Sequence, residues 1–221
     1  WFKTCNGNNQ EKQRKTDHKA GADTLEKIAK YANKIGIKYL TVYAFSTENW
    51  KRSKEEVGAL MLLLQTYLDF FTKKAEDENI RVKMIGSREN ISEKLLKKID
   101  NTIERTKNNT GLTFNVAFNY GGRNELVNGM KKIAQDVKEG KINPEDITED
   151  TVSKSLYTNG MPDPDLMIRT SGEVRISNFM LYSISYAELY FTSTCFPDFD
   201  ENEFDKALLD YQNRNITKGK A

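Results

Sequence analysis

Hydrophobic and polar positions alternate along this chain with two spacings, one typical of helices and one typical of buried strands. Between residues 20 and 35 the apolar side chains recur every three or four positions, which predicts an amphipathic helix, and Gly36 follows as a stop signal. Residues 37–45 are predominantly apolar and predict a buried strand.

The same alternation continues along the rest of the chain. Further helices are predicted over residues 53–79, 90–107, 123–138, 149–157 and 200–214, and further strands over residues 80–86, 112–120, 165–172 and 188–192. Because alternating strands and helices favour parallel pairing, the sequence predicts an α/β fold. We expect a central, mostly parallel sheet flanked by helices on both faces.

The predicted helix that begins near Ser53 has an unusual distribution of apolar side chains. Ser53 and Glu56 have the spacing of a capping box at its start. Residues 57–71, VGALMLLLQTYLDFF, are apolar around most of the helix circumference, which is too wide for a single core-facing stripe. Two interpretations stay open: the helix is buried on two sides, or one of its faces lines an apolar tunnel.

Composition narrows the class of protein. With 221 residues, four prolines and no low-complexity linker, the sequence predicts a single domain over residues 1–221. The 34 basic and 32 acidic side chains nearly cancel, which argues against a nucleic-acid partner and requires any anion site to be local. The longest apolar run, residues 60–64, is too short to span a bilayer, and no signal peptide is recognisable, so we expect a cytoplasmic location.

The loops that follow the predicted strands are the places to look for chemistry. In parallel α/β sheets, ligands bind beyond the carboxyl ends of the strands. Three loops have this position: STENWKR over residues 46–52, NYGGR over residues 119–123 and RTSGEVRISN over residues 169–178. In the second, the two glycines more readily explain the path of the backbone than contact with a ligand.

The loop over residues 169–178 is the best candidate for binding an anion. Arg169 and Arg175 supply two forked guanidinium groups, with Gly172, Ser177 and other hydroxyls nearby, a combination that suits a diphosphate. The alternative is a solvated turn whose arginines pair with neighbouring carboxylates.

Three other side chains each allow two interpretations. Trp50 is either a core side chain or the wall of a pocket mouth, packing on an apolar substrate while Arg52 holds a charged head. His18, the only histidine, is either structural or an anion contact at a helix start. Glu188 lies among aromatic and small residues, and it is either paired with an arginine or bound to a metal.

A polar stretch near the start of the chain suggests another anion site. Residues 5–10, CNGNNQ, combine glycine and asparagine, which tolerate the left-handed backbone of phosphate-binding loops. The stretch contains no acid, serine or threonine. Gly7 and Asn8 are its candidate contacts.

Several segments together resemble one protein family. The motifs YLTVYAFSTENWKR, NVAFNYGGRNELV, PDPDLMIRTSGEVRISNF and SYAELYFT occur in this order, with HKAG before them and PDFDENEFDKALLDYQNR after them. They closely resemble the signature segments of the cis-prenyltransferases, the undecaprenyl diphosphate synthase family. The resemblance covers about residues 14–214.

The resemblance implies an enzyme activity and its partners. It implies a transferase that condenses isopentenyl diphosphate with an allylic, farnesyl-type diphosphate to give a long cis-polyprenyl diphosphate, in bacteria the cell wall lipid carrier undecaprenyl diphosphate. It also implies Mg²⁺ as the cofactor, a homodimer, a hydrophobic tunnel for the growing chain, and peripheral membrane contact through the lipid product.

The resemblance further implies roles for individual residues. The substrate-binding residues would be Arg14, Trp50, Arg52, Arg169, Arg175 and Ser177, together with Gly7 and Asn8. The catalytic residues would be Ser46, Asn49 and His18, and the metal ligand would be Glu188.

The resemblance stops at the first residues of the sequence. The family has an apolar strand and an Asp-Gly-Asn-Gly-Arg-Trp loop there, and under either alignment of residues 1–18 no carboxylate stands in place of the loop's aspartate. We therefore expect the N-terminal strand and diphosphate loop, about residues 1–13, to be altered or truncated. The alternative function is that of a catalytically impaired or non-catalytic family member that binds a diphosphate substrate or a partner subunit.

Overall fold

The computed structural model describes the backbone of residues 11–216 and the side chains of residues 20–216. Within these residues the helices are Glu11–Lys34 (α1), Lys54–Asp77 (α2), Glu93–Thr106 (α3), Gly122–Lys138 (α4), Glu149–Ser155 (α5) and Glu201–Gln212 (α6). The strands are Tyr39–Ser46 (β1), Arg81–Ile85 (β2), Thr113–Tyr120 (β3), Leu166–Arg169 (β4) and Glu188–Phe191 (β5). Short 3-10 turns, which the sequence did not predict, lie at Thr47–Lys51, Pro144–Asp146 and Phe196–Asp198.

The strands are all parallel, as predicted, but in the described part of the chain they form two sheets instead of one. The first has the order β1-β3-β2, and the second pairs β4 with β5. A cavity lies between β1 and β4 and separates the two sheets. Strand alternation predicts parallel pairing but carries no information about which strands become neighbours.

Helix α1 is longer than predicted, and this overturns one expectation about His18. The helix begins at Glu11, so His18 lies in its interior and not at a helix start. Residues 11–19 lack apolar periodicity, but most of them are good helix formers such as Glu, Lys, Gln and Arg. The backbone N–H of His18 therefore lies within the helix, away from the end where such groups are available to an anion.

Helix α2 is buried on two sides, which confirms the first interpretation of its broad apolar surface. Phe71 and Ala75 pack into a cluster with α1, β3 and α6. Leu68 packs into a second cluster with α3 and the ends of β1 and β3. Leu62 and Phe70 point to solvent. Packing against two parts of the core thus accounts for the buried part of the apolar surface, and Leu62 and Phe70 stay exposed.

Capping explains where two of the helices begin. The Ser53 hydroxyl accepts a hydrogen bond from the Glu56 backbone N–H (3.2 Å) at the start of α2, which confirms one half of the predicted capping box. The Ser92 hydroxyl caps α3 in the same way through Leu95 N–H (3.3 Å). None of the described helices is long and apolar enough to cross a membrane.

Candidate functional site

The carboxyl ends of β1 and β3 meet at one edge of the first sheet. Ser46 at the end of β1 is in register with Tyr120 at the end of β3. The two strands are parallel, so the loop over residues 46–52 lies beside the turn over residues 119–123. The pairing therefore places these two loops at one edge of the sheet.

The loop after β1 is held by hydrogen bonds to buried polar groups. Ser46 is only 1% exposed, and its backbone N–H donates to Asn49 Oδ1 (2.8 Å). Trp50 Nε1 donates to Asn119 Oδ1 (2.7 Å), and its ring packs edge-on against Phe45 with centroids 5.2 Å apart. Trp50 therefore belongs to the apolar cluster of α2 and α3, in agreement with the core interpretation.

Arginines from two of the predicted loops line one cavity. Arg52, Arg169 and Arg175 all contribute to the wall of the cavity between β1 and β4, which has a volume of about 860 Å³. Much of the remaining wall is apolar and includes Val42 and Ile168. The wall thus combines these three arginines with apolar side chains, and it also contains the carboxylates of Asp163, Asp165 and Glu173.

The electrostatic environment differs among the three arginines. Burial lowers the pKa of the Arg169 guanidinium, and the nearby positive charge of Arg175 lowers it further. Arg52 Nη1 pairs with Glu56 Oε1 (2.6 Å), and Arg175 pairs with Glu173. The carboxylate partner that the alternative interpretation expects is therefore present for Arg175, and Arg52 has one as well. Exposed ion pairs of this kind are weak, so a more highly charged anion can replace these carboxylates.

The apolar tunnel predicted along α2 is not shown by the described residues. Leu64 and Leu68 of α2 line a separate cavity of only about 60 Å³. The large cavity contains no α2 residue in its wall. Leu25 and Ala44 line both cavities, so the two spaces adjoin.

Glu188 lies apart from the arginine cluster. It is the first residue of β5 and pairs in register with Leu166, whereas Arg169 pairs with Phe191 three residues further along. At about 3.3 Å per residue, the two side chains are attached roughly 10 Å apart along the strands. Glu188 Oε2 accepts a hydrogen bond from Arg214 Nη1 (2.7 Å), so the arginine-paired interpretation describes this structure.

The described residues do not form a metal site by themselves. Within residues 20–216 there is no group of three or more His, Cys, Asp or Glu side chains arranged to hold a metal ion. The carboxylate of Glu188 has one oxygen engaged with Arg214. A magnesium ion at this site would therefore need ligands from the diphosphate itself or from other residues.

Some of the predicted site residues lie outside what the structure describes. Gly7 and Asn8 fall outside the described backbone, as does most of the segment expected to be altered, about residues 1–13. Arg14 and His18 lie on the backbone of α1, but their side chains are outside the described set. Their roles stay predictions.

Sequence reasoning missed two asparagines that hold the loops together. Asn119 lies in the NYGGR motif at φ +49°; its Nδ2 donates to the carbonyl oxygens of Ser87 (3.0 Å) and Glu89 (2.9 Å). Asn178, at φ +63°, hydrogen-bonds to the first turn of α4 and to Glu48. Asparagine near a strand end is a signal for left-handed backbone and would have pointed to Asn119, whereas the neighbours of Asn178 in the sequence give no such signal.

Comparisons with known proteins agree with the fold and with the predicted family. A family profile described as "Putative undecaprenyl diphosphate synthase" matches residues 6–219. An isoprenyl transferase from Clostridium perfringens is 48% identical over 198 residues, which cover 90% of this chain and 78% of that protein. An isoprenyl transferase from Listeria innocua is 47% identical over 199 residues, with 90% and 79% covered.

Solved structures extend the similarity to three dimensions. Lavandulyl diphosphate synthase from Lavandula x intermedia, solved in complex with dimethylallyl diphosphate, is 36% identical with a TM-score of 0.88, covering 93% of this chain and 90% of that chain. A probable undecaprenyl diphosphate synthase from Campylobacter jejuni is 35% identical with a TM-score of 0.81, covering 91% and 93%.

The parallel α/β fold with an arginine-rimmed apolar cavity defines a protein suited to anionic amphiphiles. The chain belongs to the undecaprenyl diphosphate synthase family of prenyltransferases, as its motifs predicted.

Proposed function

We propose that this prenyltransferase condenses isopentenyl diphosphate with an allylic, farnesyl-type diphosphate and extends it in cis units to a polyprenyl diphosphate. The observation that carries the proposal is that Arg52, Arg169 and Arg175 line one largely apolar cavity. A diphosphate with an isoprenoid chain has a highly charged head and an apolar tail, and this arrangement complements both.

The arginines would act by binding and stabilising diphosphate groups. Diphosphate would replace Glu173 on Arg175 and Glu56 on Arg52, while the half-buried Arg169 would contact it in a region of low dielectric. A preorganised cation stabilises the charge that develops on a leaving diphosphate. We assign Arg169, Arg175 and Ser177 to the isopentenyl diphosphate and Arg52 to the allylic diphosphate.

The reaction follows from this arrangement. The bond between the allylic carbon and the diphosphate oxygen breaks, and its electron pair leaves with the diphosphate. The double bond of isopentenyl diphosphate forms a new carbon–carbon bond to the allylic carbon, after which one proton leaves the isopentenyl unit. The released diphosphate accepts this proton. Holding both substrates side by side supplies much of the rate.

The loop after β1 would position the allylic substrate. Asn49 fixes the backbone of Ser46 at the end of β1, in the loop that also carries Arg52. We propose Ser46, Asn49 and His18 as contacts in the catalytic centre, with Arg14 and Trp50 supporting the allylic substrate. Gly7 and Asn8 would add backbone contacts to a diphosphate.

Magnesium is proposed as the cofactor, with the diphosphate supplying most of its ligands. Mg²⁺ prefers oxygen ligands and, when bound, neutralises charge on a diphosphate. Glu188 would contribute one carboxylate oxygen, the one not engaged by Arg214. Calorimetric titration of inorganic pyrophosphate with and without Mg²⁺, on the wild-type chain and on Glu188→Gln, tests this independently of turnover.

The test of the proposed activity is a magnesium-dependent assay with farnesyl diphosphate and radiolabelled isopentenyl diphosphate. Incorporation of label into long-chain product at ordinary enzyme rates, roughly 1–10³ s⁻¹, is the expected result. Binding of both diphosphates without incorporation would contradict it and leave the alternative of a non-catalytic family member.

We further propose that the chain acts as a single domain and as a homodimer, with peripheral membrane contact through its lipid product and a cytoplasmic location. The family match runs through residues 6–219 without a break, which supports one domain. Exposed apolar side chains around β5 and α6 support self-association: Tyr186 is 78% exposed and Leu209 56%.

A further inference from the structure

The loop that contains Arg175 and Ser177 has an unusual backbone. Ser171, Ser177, Asn178 and Met180 all have positive φ, between 45° and 69°. For residues with a side chain this left-handed conformation is costly, and it persists only where the surrounding structure imposes it. Something must therefore hold this loop in place.

Asn178 makes the contacts that do so. Its carbonyl oxygen accepts a hydrogen bond from Gly122 N–H (2.7 Å), and its Oδ1 accepts one from Arg123 N–H (2.9 Å). Its Nδ2 donates to Glu48 Oε1 (2.7 Å). One residue thus connects the loop after β4 with the loops after β1 and β3.

The start of α4 depends on these contacts. The N-cap residue is Gly121, which has no side chain to satisfy the first N–H groups of the helix. Asn178 supplies that cap from another loop, through Gly122 and Arg123. The first turn of α4 is therefore tied to the residue that directly follows Ser177.

The glycines of the turn allow this close approach. A Cβ at Gly121 would lie 3.0 Å from Asn178 Nδ2 and 2.5 Å from Thr47 Oγ1. A Cβ at Gly122 would lie 3.1 Å from the Asn178 carbonyl oxygen and 2.6 Å from Leu181 Cγ. A side chain at either position would force Thr47, Asn178 or Leu181 to shift.

Glu48 is ionised when it accepts from Asn178. Partial burial raises the pKa of the Glu48 carboxyl, but hydrogen bonds from its own backbone, Asn178 and Ser46 outweigh burial and lower the pKa overall. The contact between Nδ2 and Glu48 is therefore charge-assisted, and it is stronger than one between neutral groups.

We propose that Asn178 is the positioning residue of the substrate site: it holds Arg175 and Ser177 in register with the loop of Ser46 and Arg52. This inference rests on the proposed function, because the held residues are those assigned to the two diphosphates. Asn178 itself does not need to touch substrate.

The test uses the full chain and reverses the donor and the acceptor of the hydrogen bond between Asn178 and Glu48. Asn178→Asp keeps an oxygen for Arg123 N–H but removes the N–H donor and sets a second carboxylate against Glu48. We expect the KM for isopentenyl diphosphate to rise about tenfold, the equivalent of one lost charge-assisted hydrogen bond, with a smaller change in kcat. The double variant Asn178→Asp/Glu48→Gln restores a donor–acceptor pair and should recover most of the lost affinity.

The chain offers a matched control. Asn143 Nδ2 donates to Asp146 Oδ2 (3.0 Å) on an exposed turn of the helical connection between α4 and α5. Asn143→Asp makes the same chemical change away from the arginines and should leave both KM values unchanged. If Asn178→Asp also leaves KM unchanged, or if the double variant recovers the melting temperature but not KM, the positioning role is wrong.

A second measurement separates this inference from the proposed function. Amide hydrogen exchange of Arg123 requires no substrate, and Asn178→Ala should raise its exchange rate by removing the acceptor. Slow exchange at Arg123 in this variant would overturn the inference even if the enzyme is active. Faster exchange in a chain that binds no diphosphate would uphold the loop contact and contradict the proposed function.

Discussion

Arg169 differs from the other two arginines at the cavity rim in its degree of burial. Its guanidinium is half-buried and has a lowered pKa, whereas Arg52 and Arg175 are exposed and paired with carboxylates. Folding has already removed part of the water around a half-buried arginine, so less desolvation remains when the substrate binds. At the scale of single residues, Arg169 is therefore the cation from which we expect the largest contribution.

The first prediction concerns that contribution. Arg169→Ala should lower kcat/KM by about 10²-fold, a typical loss when one preorganised charge-stabilising group is removed. Arg169→Lys should recover only part, because lysine lacks the planar fork that matches a diphosphate. Steady-state kinetics with both substrates measure the effect.

Arg105 supplies the control for this substitution. It pairs with Glu76 between α3 and α2, and neither residue lines the cavity. Arg105→Ala should leave kcat/KM unchanged. Equal losses in the two variants would show that Arg169 acts only through the stability of the protein.

Glu125 is a second residue for which burial is decisive, in this case for the pKa of its carboxyl. It is 1% exposed and accepts a hydrogen bond from the Tyr120 hydroxyl. Burial raises the pKa of the Glu125 carboxyl, and the Tyr120 hydrogen bond offsets only part of that rise. The folded protein therefore keeps this proton to a higher pH than the unfolded chain does.

This environment predicts a pH-dependent stability. The proton-linked contribution of Glu125 is complete below its ordinary pKa of 4.5 and is lost as pH rises through the raised folded pKa. Glu125→Gln removes the titrating group. The melting temperature of this variant minus that of the wild type should therefore increase as the pH rises from 4.5 to 8. Scanning calorimetry across this range measures it, with the exposed Glu104→Gln as control. Parallel pH curves for Glu125→Gln and wild type would contradict the prediction.

At the scale of elements, the structure follows local signals where those signals are strong. The Ser53 start of α2, the end of α1 before Gly36 and the three strands of the first sheet lie within a few residues of their predicted positions. The early start of α1 was missed because residues 11–19 have helix-forming composition without an apolar stripe. Because the start of α2 depends on a local hydrogen bond to Ser53, a single substitution can test it.

Ser53→Ala should destabilise the protein by about 1 kcal/mol, because it leaves the Glu56 N–H without its acceptor at 3.2 Å. Ser92→Ala at the start of α3 should cost a similar amount. Only the first substitution adjoins Arg52 and its partner Glu56, so only Ser53→Ala should also raise the KM for the allylic diphosphate. Urea unfolding and kinetics on both variants measure the difference; a rise in KM for Ser92→Ala would argue against a local effect.

At the scale of the whole molecule, the division of the strands into two sheets shapes the site. Between β1 and β4 lies the large cavity, whose rim carries cations from two loops and whose wall is largely apolar. Near β5 and α6, Tyr186, Leu189 and Leu209 are exposed apolar side chains, and we propose that the homodimer buries them.

That surface predicts an effect on oligomeric state. If the proposed homodimer forms through these side chains, Leu209→Asp and Tyr186→Asp should shift the protein from dimer to monomer in sedimentation experiments, because each would bury an unpaired charge in an apolar interface. Leu62→Asp on the exposed side of α2 makes the same change outside this surface and should leave the oligomeric state as it is. A dimer that survives the first two substitutions would place the interface elsewhere.

The sequence by itself determined the α/β class, the positions of most elements, the family and the loops that carry the arginines. These depend on local periodicity, turn chemistry and motifs, which neighbouring residues encode. Only the tertiary structure decided that Arg52, Arg169 and Arg175 share one cavity, that Glu188 pairs with Arg214, and that Asn178 caps α4 from another loop. Those relations join residues up to 123 positions apart, Arg52 to Arg175, and depend on which strands and loops become neighbours when the chain packs.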